Sequence, residues 1–465
     1  MLSLFLLTFK GSYKLSTKNH LAIPLITAGL NAGATFNVTV TSSSIDRLMV
    51  GLLTEAAYNA ITEDSYRSTC INGDHPNFSD YQEIYEFSNT SKTATFTGTV
   101  VHKAIYYQFF YGCNADSFVV EVSCHFKNPN SWIDSRYDPL FTVLPIMAAI
   151  MGLVLIIWLI NWFINFKVQI YIHYCFTATL SAMVISAIAY TGYISAYKRS
   201  ESPLGASIFY FITLIIKYVI VFSTILLAAK GWCILVDTIK LCEFFLAFIY
   251  SACAVACFIL IIYTNFTFIV QAIVLLIGLV FTALYMHNLI VSINKLNHMM
   301  IAYMLVIQQH GIDPTTTPIQ HKKRMYQFYS GFLISCVAMV IIYLIVRMFV
   351  DMGLWIPDLL SYLFESYFMI GILSIFFIRN QYANGYTSIN DTNGPTEEFS
   401  LADIENAGAN FTPGQGTQWS PGMTLPSQPE VTEGPKQISL ESPDGVEEIE
   451  IAPGSYADQQ QQQQP

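Results

Sequence analysis

Seven long apolar runs constrain this chain more than any other feature: Leu140–Phe166, Ile170–Ala196, Ala206–Ala229, Leu241–Ile262, Phe266–His287, Phe328–Val350 and Asp358–Ile378. Each holds about 21–27 residues, and a helix rising about 1.5 Å per residue needs about 20 to cross a bilayer core. In hydrocarbon only helices or closed barrels satisfy their backbone groups. Solid apolar runs without two-residue alternation select helices. The expected fold class is therefore an all-α seven-helix transmembrane bundle over residues 133–380. Seven crossings would put the two ends of the chain on opposite sides of the membrane.

Basic residues beside the runs give the orientation. With the N-terminus outside, the cytosolic loops and exit hold Lys167, Lys230, Lys240, Lys295, Lys322, Lys323, Arg324 and Arg379, against Lys198 and Arg199 in the outer loops. That bias predicts a lumenal or extracellular N-terminus and a cytosolic C-terminus. Trp132, Trp232 and Trp355 fall near run ends, where indole rings prefer to sit. A chain 53% hydrophobic and 12% charged is not an ordinary soluble protein. Its net charge of −10 is a property of the tail. Residues 380–465 carry thirteen acids and the single base Lys436, leaving +2 for the remainder. No region is basic enough to predict nucleic-acid binding.

Residues 1–12 open with MLSLFLLTF, which has the apolar core of a secretory signal but no basic residue before it. They are read as a weak or truncated signal peptide, with a buried strand as the alternative. Residues 13–132 read as β: His20–Thr27, Ala34–Ser42, Arg47–Thr54, Thr93–Val101, Ile105–Tyr111 and Phe118–Phe126 are short, rich in β-branched and aromatic residues, and separated by turn formers. A small lumenal or extracellular all-β sandwich is expected, with Glu55–Ile61 as one or two helical turns. In an oxidising compartment one bridge among Cys70, Cys113 and Cys124 is expected: Cys70–Cys113, with Cys70–Cys124 as the alternative. Asn37, Asn77 and Asn89 open sequons for N-glycosylation on that side.

Ile290, Ile293, Leu296, Met300 and Met304 recur at helical spacing, so the fifth span should continue below the membrane as an amphipathic helix until Gly311, Pro314 and Pro318 end it. The basic cluster Lys322, Lys323 and Arg324 then meets the membrane. It is a topology anchor or, functionally, a dock for a cytosolic effector, an adaptor or anionic lipid. Residues 381–465, rich in Pro, Gly, Ser, Thr and Gln, are expected to be a disordered acidic cytosolic tail. Within it Tyr386 and Ile389 form a Tyr-x-x-apolar sequence of the kind that lies along a sheet edge of a coat adaptor.

Ionisable residues inside a span are costly and usually face a bundle interior or wet cavity. Lys217, Arg347 and Glu365 lie at about 17, 5 and 10 Å below the outer surface at 1.5 Å per residue. Glu365 is therefore expected to pair with Arg347 or Lys217. They are candidates for a ligand-, lipid- or ion-holding cavity, against a purely structural pair. Glu243 sits near the inner surface. Cys253 and Cys257, one turn apart, are read as small packing residues, and no metal or other cofactor is called for. No catalytic motif occurs, so no enzyme is expected. The rhodopsin-like receptor signatures are missing too: the third span exits as Leu227–Ala228–Ala229–Lys230–Gly231–Trp232 and the seventh as Phe377–Ile378–Arg379–Asn380–Gln381–Tyr382.

Four stretches in this order carry a resemblance: Tyr106–Tyr107–Gln108–Phe109–Phe110–Tyr111–Gly112–Cys113, Ala229–Lys230–Gly231–Trp232, Lys322–Lys323–Arg324–Met325–Tyr326–Gln327–Phe328, and Trp355 through Arg379 with Glu365 inside it. Together with an outer sandwich leading into seven helices, they make residues 10–385 similar to the Golgi-dynamics-domain seven-transmembrane family, in its intimal thickness-related receptor-like branch and, more distantly, Wntless. The resemblance implies a membrane protein of the secretory pathway or cell surface linked to cargo trafficking. With the Tyr386–Ile389 sequence, the expectation is a Golgi, post-Golgi or surface receptor that binds lumenal cargo or ligand and engages a coat adaptor. The alternatives it leaves are a non-rhodopsin-like G-protein-coupled signalling receptor and an ion channel. The chain departs from the family in its poor signal peptide, its long internal loop and the absence of a proline after Arg379.

Overall fold

The computed structural model describes residues 8–16, 24–42, 47–60, 81–86, 92–112, 117–236, 239–263, 268–349, 353–378, 398–400 and, in short pieces, 414–432. Eight strands come first: β1 (Thr8–Ser16), β2 (Pro24–Leu30), β3 (Thr35–Ser42), β4 (Arg47–Thr54), β5 (Tyr81–Glu86), β6 (Thr93–Thr99), β7 (Ala104–Gly112) and β8 (Ser117–Lys127), with the short helix α1 (Glu55–Ala60) after β4. They form two four-stranded antiparallel sheets, in the orders β1-β8-β3-β6 and β2-β7-β4-β5.

Alternation builds the core between them. Along β3, Phe36, Val38 and Val40 point in while Thr35 and Asn37 face out, the two-residue period of a half-buried strand. These side chains meet Ala28, Leu30, Val50 and Leu52 from the other sheet, which makes the unit a sandwich. Cys124 lies inside this core with a free thiol, and burial pushes its pKa up to about 12. The alternative Cys70–Cys124 bridge is therefore not formed. Cys70 and Cys113 lie outside the described residues, as do Asn77 and Asn89. The strand β5 was not foreseen, and β1 answers to the strand that was the alternative reading of the opening stretch. Because β1 pairs with β8 from Thr8 onward, residues 8–12 belong to the sheet and not to the leader assigned to 1–12.

Seven long helices follow: α2 (Leu140–Ile164), α3 (Tyr171–Arg199), α4 (Leu204–Ala229), α5 (Leu241–Tyr263), α6 (Phe268–Gln309), α7 (Pro318–Phe349) and α8 (Ile356–Phe376). Six of them are long and apolar enough to cross a membrane, and α5 supplies a shorter apolar segment, Leu241–Cys257. Large aliphatic side chains such as Ile150, Leu153, Ile157 and Ile160 on α2 stay exposed, in a band that would associate in water and suits lipid. The helices are compatible with an integral, multi-pass membrane protein. At 42 residues α6 is about 63 Å long, twice a bilayer core. Its last turns project beyond the apolar zone, as the Ile290–Met304 spacing predicts. Gly311, at φ 71°, closes it: Gly311 N–H reaches Gln308 O (2.9 Å) and Ile312 N–H reaches Ile307 O (3.2 Å).

The tail corrects an expectation. Disorder was predicted across 381–465, yet part of 414–432 lies against the α6–α7 turn. Asp313 N–H donates to Thr417 O (3.0 Å), Thr417 N–H to Gly311 O (2.8 Å), and Tyr303 Oη to Pro426 O (2.9 Å). Leu425 packs on Tyr303, Ile307 and Ile319, and β9 (Glu398–Ser400) pairs with β10 (Glu430–Thr432). The Asp313 carboxylate, which accepts from Thr315 and from Gly414 N–H, is held below its ordinary range by those bonds.

Candidate functional site

Three polar centres tie the helices together. The first is an ion pair in the bundle: Lys217 Nζ of α4 lies 2.6 Å from Glu365 Oε1 of α8, and also 4.4 Å from the centre of the Tyr218 ring. Lys217 and Glu365 are 4% and 9% exposed. Nearby, Tyr190, Tyr193, Tyr210 and Tyr362 stack on one another at 4.9–5.9 Å. Of the two pairings open to Glu365, the structure makes the one with Lys217. The Arg347 side chain lies outside the described residues. Glu365 Oε2 is buried without a hydrogen-bond partner among the described residues.

The second centre fastens the bundle to the sandwich. Asp134, just before α2, accepts from Gly29 N–H (2.9 Å) and from Arg136, while Arg136 Nη2 donates to Thr27 O (2.8 Å). Asn128 adds bonds with Asn31, Gly29 and Ile133. Residue 29 must be glycine, because a Cβ there would strike the Asp134 carboxylate. At the α3–α4 loop, Glu201 meets His125 of β8 at 2.9 Å. The sandwich therefore touches the end of the bundle at which α2 begins and α3 ends.

The third centre lies at the opposite end. Helix α4 ends in a Schellman turn: Gly231, at φ 73°, donates to Ala228 O (3.0 Å) and Trp232 N–H to Leu227 O (3.3 Å). Three tyrosines take carbonyls on one face of α4, at a spacing of three residues: Tyr285 on Phe222, Tyr329 on Ile225 and Tyr326 on Ala228. Lys322 Nζ, one turn before Tyr326, donates to Ile234 O at 2.7 Å and is 6% exposed. Lys322 is thus a fastening and not part of an open basic surface; Arg324 is exposed and Lys323 half-buried. The sequence read these three as one cluster because charge alone says nothing of which way a helix face turns. The spacing 322–326–329 carried that signal. Glu243 sits beside Lys230 at 2.7 Å, at the rim.

Between α7 and α8 a cavity of about 740 Å³ opens, with His321, Lys322 and Arg324 at one end and Phe332 and Tyr367 at the other. Sequence reading placed the candidate cavity at Lys217 and Glu365 and did not find this one, because neither helix is unusual by itself there. Tyr386 and Ile389 lie outside the described residues. Asn37 is exposed on β3. No protein-family model matches the chain, and no curated protein is significantly similar to it.

Proposed function

We propose that this chain crosses the membrane seven times, with the sandwich lumenal or extracellular and the tail cytosolic, and that it acts as a cargo- or ligand-binding trafficking receptor of the Golgi, post-Golgi vesicles or cell surface. The observation that carries the reading is the placement of its two soluble parts. The sandwich is bonded to one end of the bundle through Asp134, Arg136 and His125. The tail segment docks on the α6–α7 turn at the other. An odd number of crossings demands that arrangement, and the basic residues gathered at the tail end agree with it. A sandwich fastened at several points to α2 and to the α3–α4 loop moves with the helices, so an occupant of the outer domain is felt in the bundle. Family resemblance supports the same reading, with Tyr386 and Ile389 as the adaptor-binding element.

The test is the steady-state location of a protein tagged at its C-terminus. Vesicle and Golgi residence that shifts to the plasma membrane in Tyr386→Ala supports a trafficking role. Stable surface residence of both forms overturns it. The docked tail and the projecting end of α6 favour one second reading, a signalling receptor coupling through the α6–α7 region. In that case Lys323→Ala with Arg324→Ala abolishes an effector response while location is unchanged.

A further inference from the structure

The cavity between α7 and α8 has the dimensions and polarity of a lipid site. Its α7 wall is a single helical face, with His321, Met325, Phe328 and Phe332 at spacings of three and four. Ile370 and Ser374 face it from α8. Its floor is closed where the two helices touch: Phe332 packs against Gly371, where a Cβ would run into the ring, and Ser335 Oγ meets Tyr367 Oη at 2.8 Å. At the mouth end the chain leaving α8 is fastened to α2, whose Asn161 exchanges hydrogen bonds with both the N–H and C=O of Ile378. From Arg324 to Phe332 is about 12 Å along the helix axis, close to the roughly 15 Å of one leaflet's hydrocarbon.

The mouth is basic, with His321, Lys322 and exposed Arg324, and no carboxylate lines the cavity among the described residues. Below the mouth the wall is apolar, and Phe328 and Ile370 remain open to the bilayer. The geometry points to a bound anionic phospholipid, its phosphate at His321 and Arg324 and one acyl chain lying between α7 and α8 down to Phe332. Basic pockets between transmembrane helices hold such head groups through charge, while the chain supplies apolar contact. A zwitterionic lipid would bring a cation to a site that already holds basic groups. This site deepens the membrane reading and rests on it.

The test uses the full chain in nanodiscs, which expose both faces, so the outcome does not depend on orientation; protease protection in microsomes reads that separately. The probes are phosphatidylserine and phosphatidylcholine carrying the same photoreactive acyl chain. Phosphatidylserine should label the 325–332 and 370–375 peptides about tenfold more strongly. His321→Gln with Arg324→Gln should cut that labelling five-fold or more, at roughly a factor of five per basic group near the surface. Lys240→Gln should leave it unchanged. Ile370→Trp should fill the cavity and abolish labelling without altering the melting temperature. Soluble glycerophosphoserine should not compete, which separates a lipid from a bare phosphate. Equal labelling by both probes, or labelling indifferent to the double substitution, overturns the proposal. Cross-links from these peptides to a second copy of the chain would give the cavity to a protein partner instead, and overturn it equally.

Discussion

Two lysines placed among apolar residues are satisfied in different ways, and the contrast separates the bundle interior from its tail end. Lys217 is matched by a carboxylate, Glu365, in the helical interior. Lys322 is matched by a backbone carbonyl, Ile234 O, in the loop that leaves α4. The first arrangement removes two charges from water and depends on both being present. The second satisfies a cation with a loop dipole, beside the mouth of a cavity. In the bundle interior and at the sandwich junction the structure is therefore fixed by paired charge. At the tail end it is fixed by donors on carbonyls: Tyr285, Tyr326, Tyr329, Asn161 and Lys322 all use main-chain oxygen. The tail end thus holds its buried lysine on a carbonyl, and the interior holds its own on a carboxylate.

The largest effect expected from breaking this contrast is at the interior pair. Glu365→Gln should destabilise the bundle by about 3–5 kcal/mol, because Lys217 is left buried and unpaired. Lys217→Met combined with Glu365→Met should recover most of the loss, measured by unfolding in detergent. Lys322→Met should cost less, about 1.5–3 kcal/mol for a hydrogen bond from a charged donor, and no acidic partner should rescue it. Asp134→Asn should weaken the sandwich-to-helix junction by about 1–3 kcal/mol, seen as faster proteolysis between β8 and α2 with the sandwich itself intact. Arg324→Gln should change stability by no more than about 0.5 kcal/mol.

The tail contact gives the smallest effect and a pH dependence of known sign. Asp313 is depressed in the folded state by its bonds to Thr315 and Gly414, so its contribution is present above the ordinary carboxylate pKa of 3.8 and is lost as pH falls through the lower folded value. The protection of the Thr417 amide, measured against its unfolded exchange rate, should therefore be high at neutral pH and fall only below that range. Asp313→Asn should remove the dependence.

Much of this was legible in the sequence, for identifiable reasons. Continuous apolar runs fixed the helices to within a few residues, except that α7 begins at Pro318 and not near Phe328. A proline at the first helical position starts a helix well, and a span boundary is not a helix boundary. Alternation revealed β3 and β8. It did not reveal β5, Tyr81–Glu86, and it left β1, whose apolar start resembled a leader, as the alternative reading. Depth counting brought Glu365 within reach of Lys217 and of Arg347 but could not choose, since pairing depends on which faces of α4, α7 and α8 turn inward. Composition concealed the docked tail. A Pro- and Gly-rich strand can still use its backbone N–H and C=O groups on a turn, as Thr417 does with Gly311 and Asp313.

The measurement that tests the account most directly is two-sided protease protection on intact microsomes, with epitopes inserted in the sandwich after β6 and at the C-terminus. The account predicts that the C-terminal epitope is digested while the sandwich stays protected, and that Asn37→Gln removes one glycan. Loss of both epitopes together, or protection of both, would put sandwich and tail on the same side and contradict a seven-crossing chain.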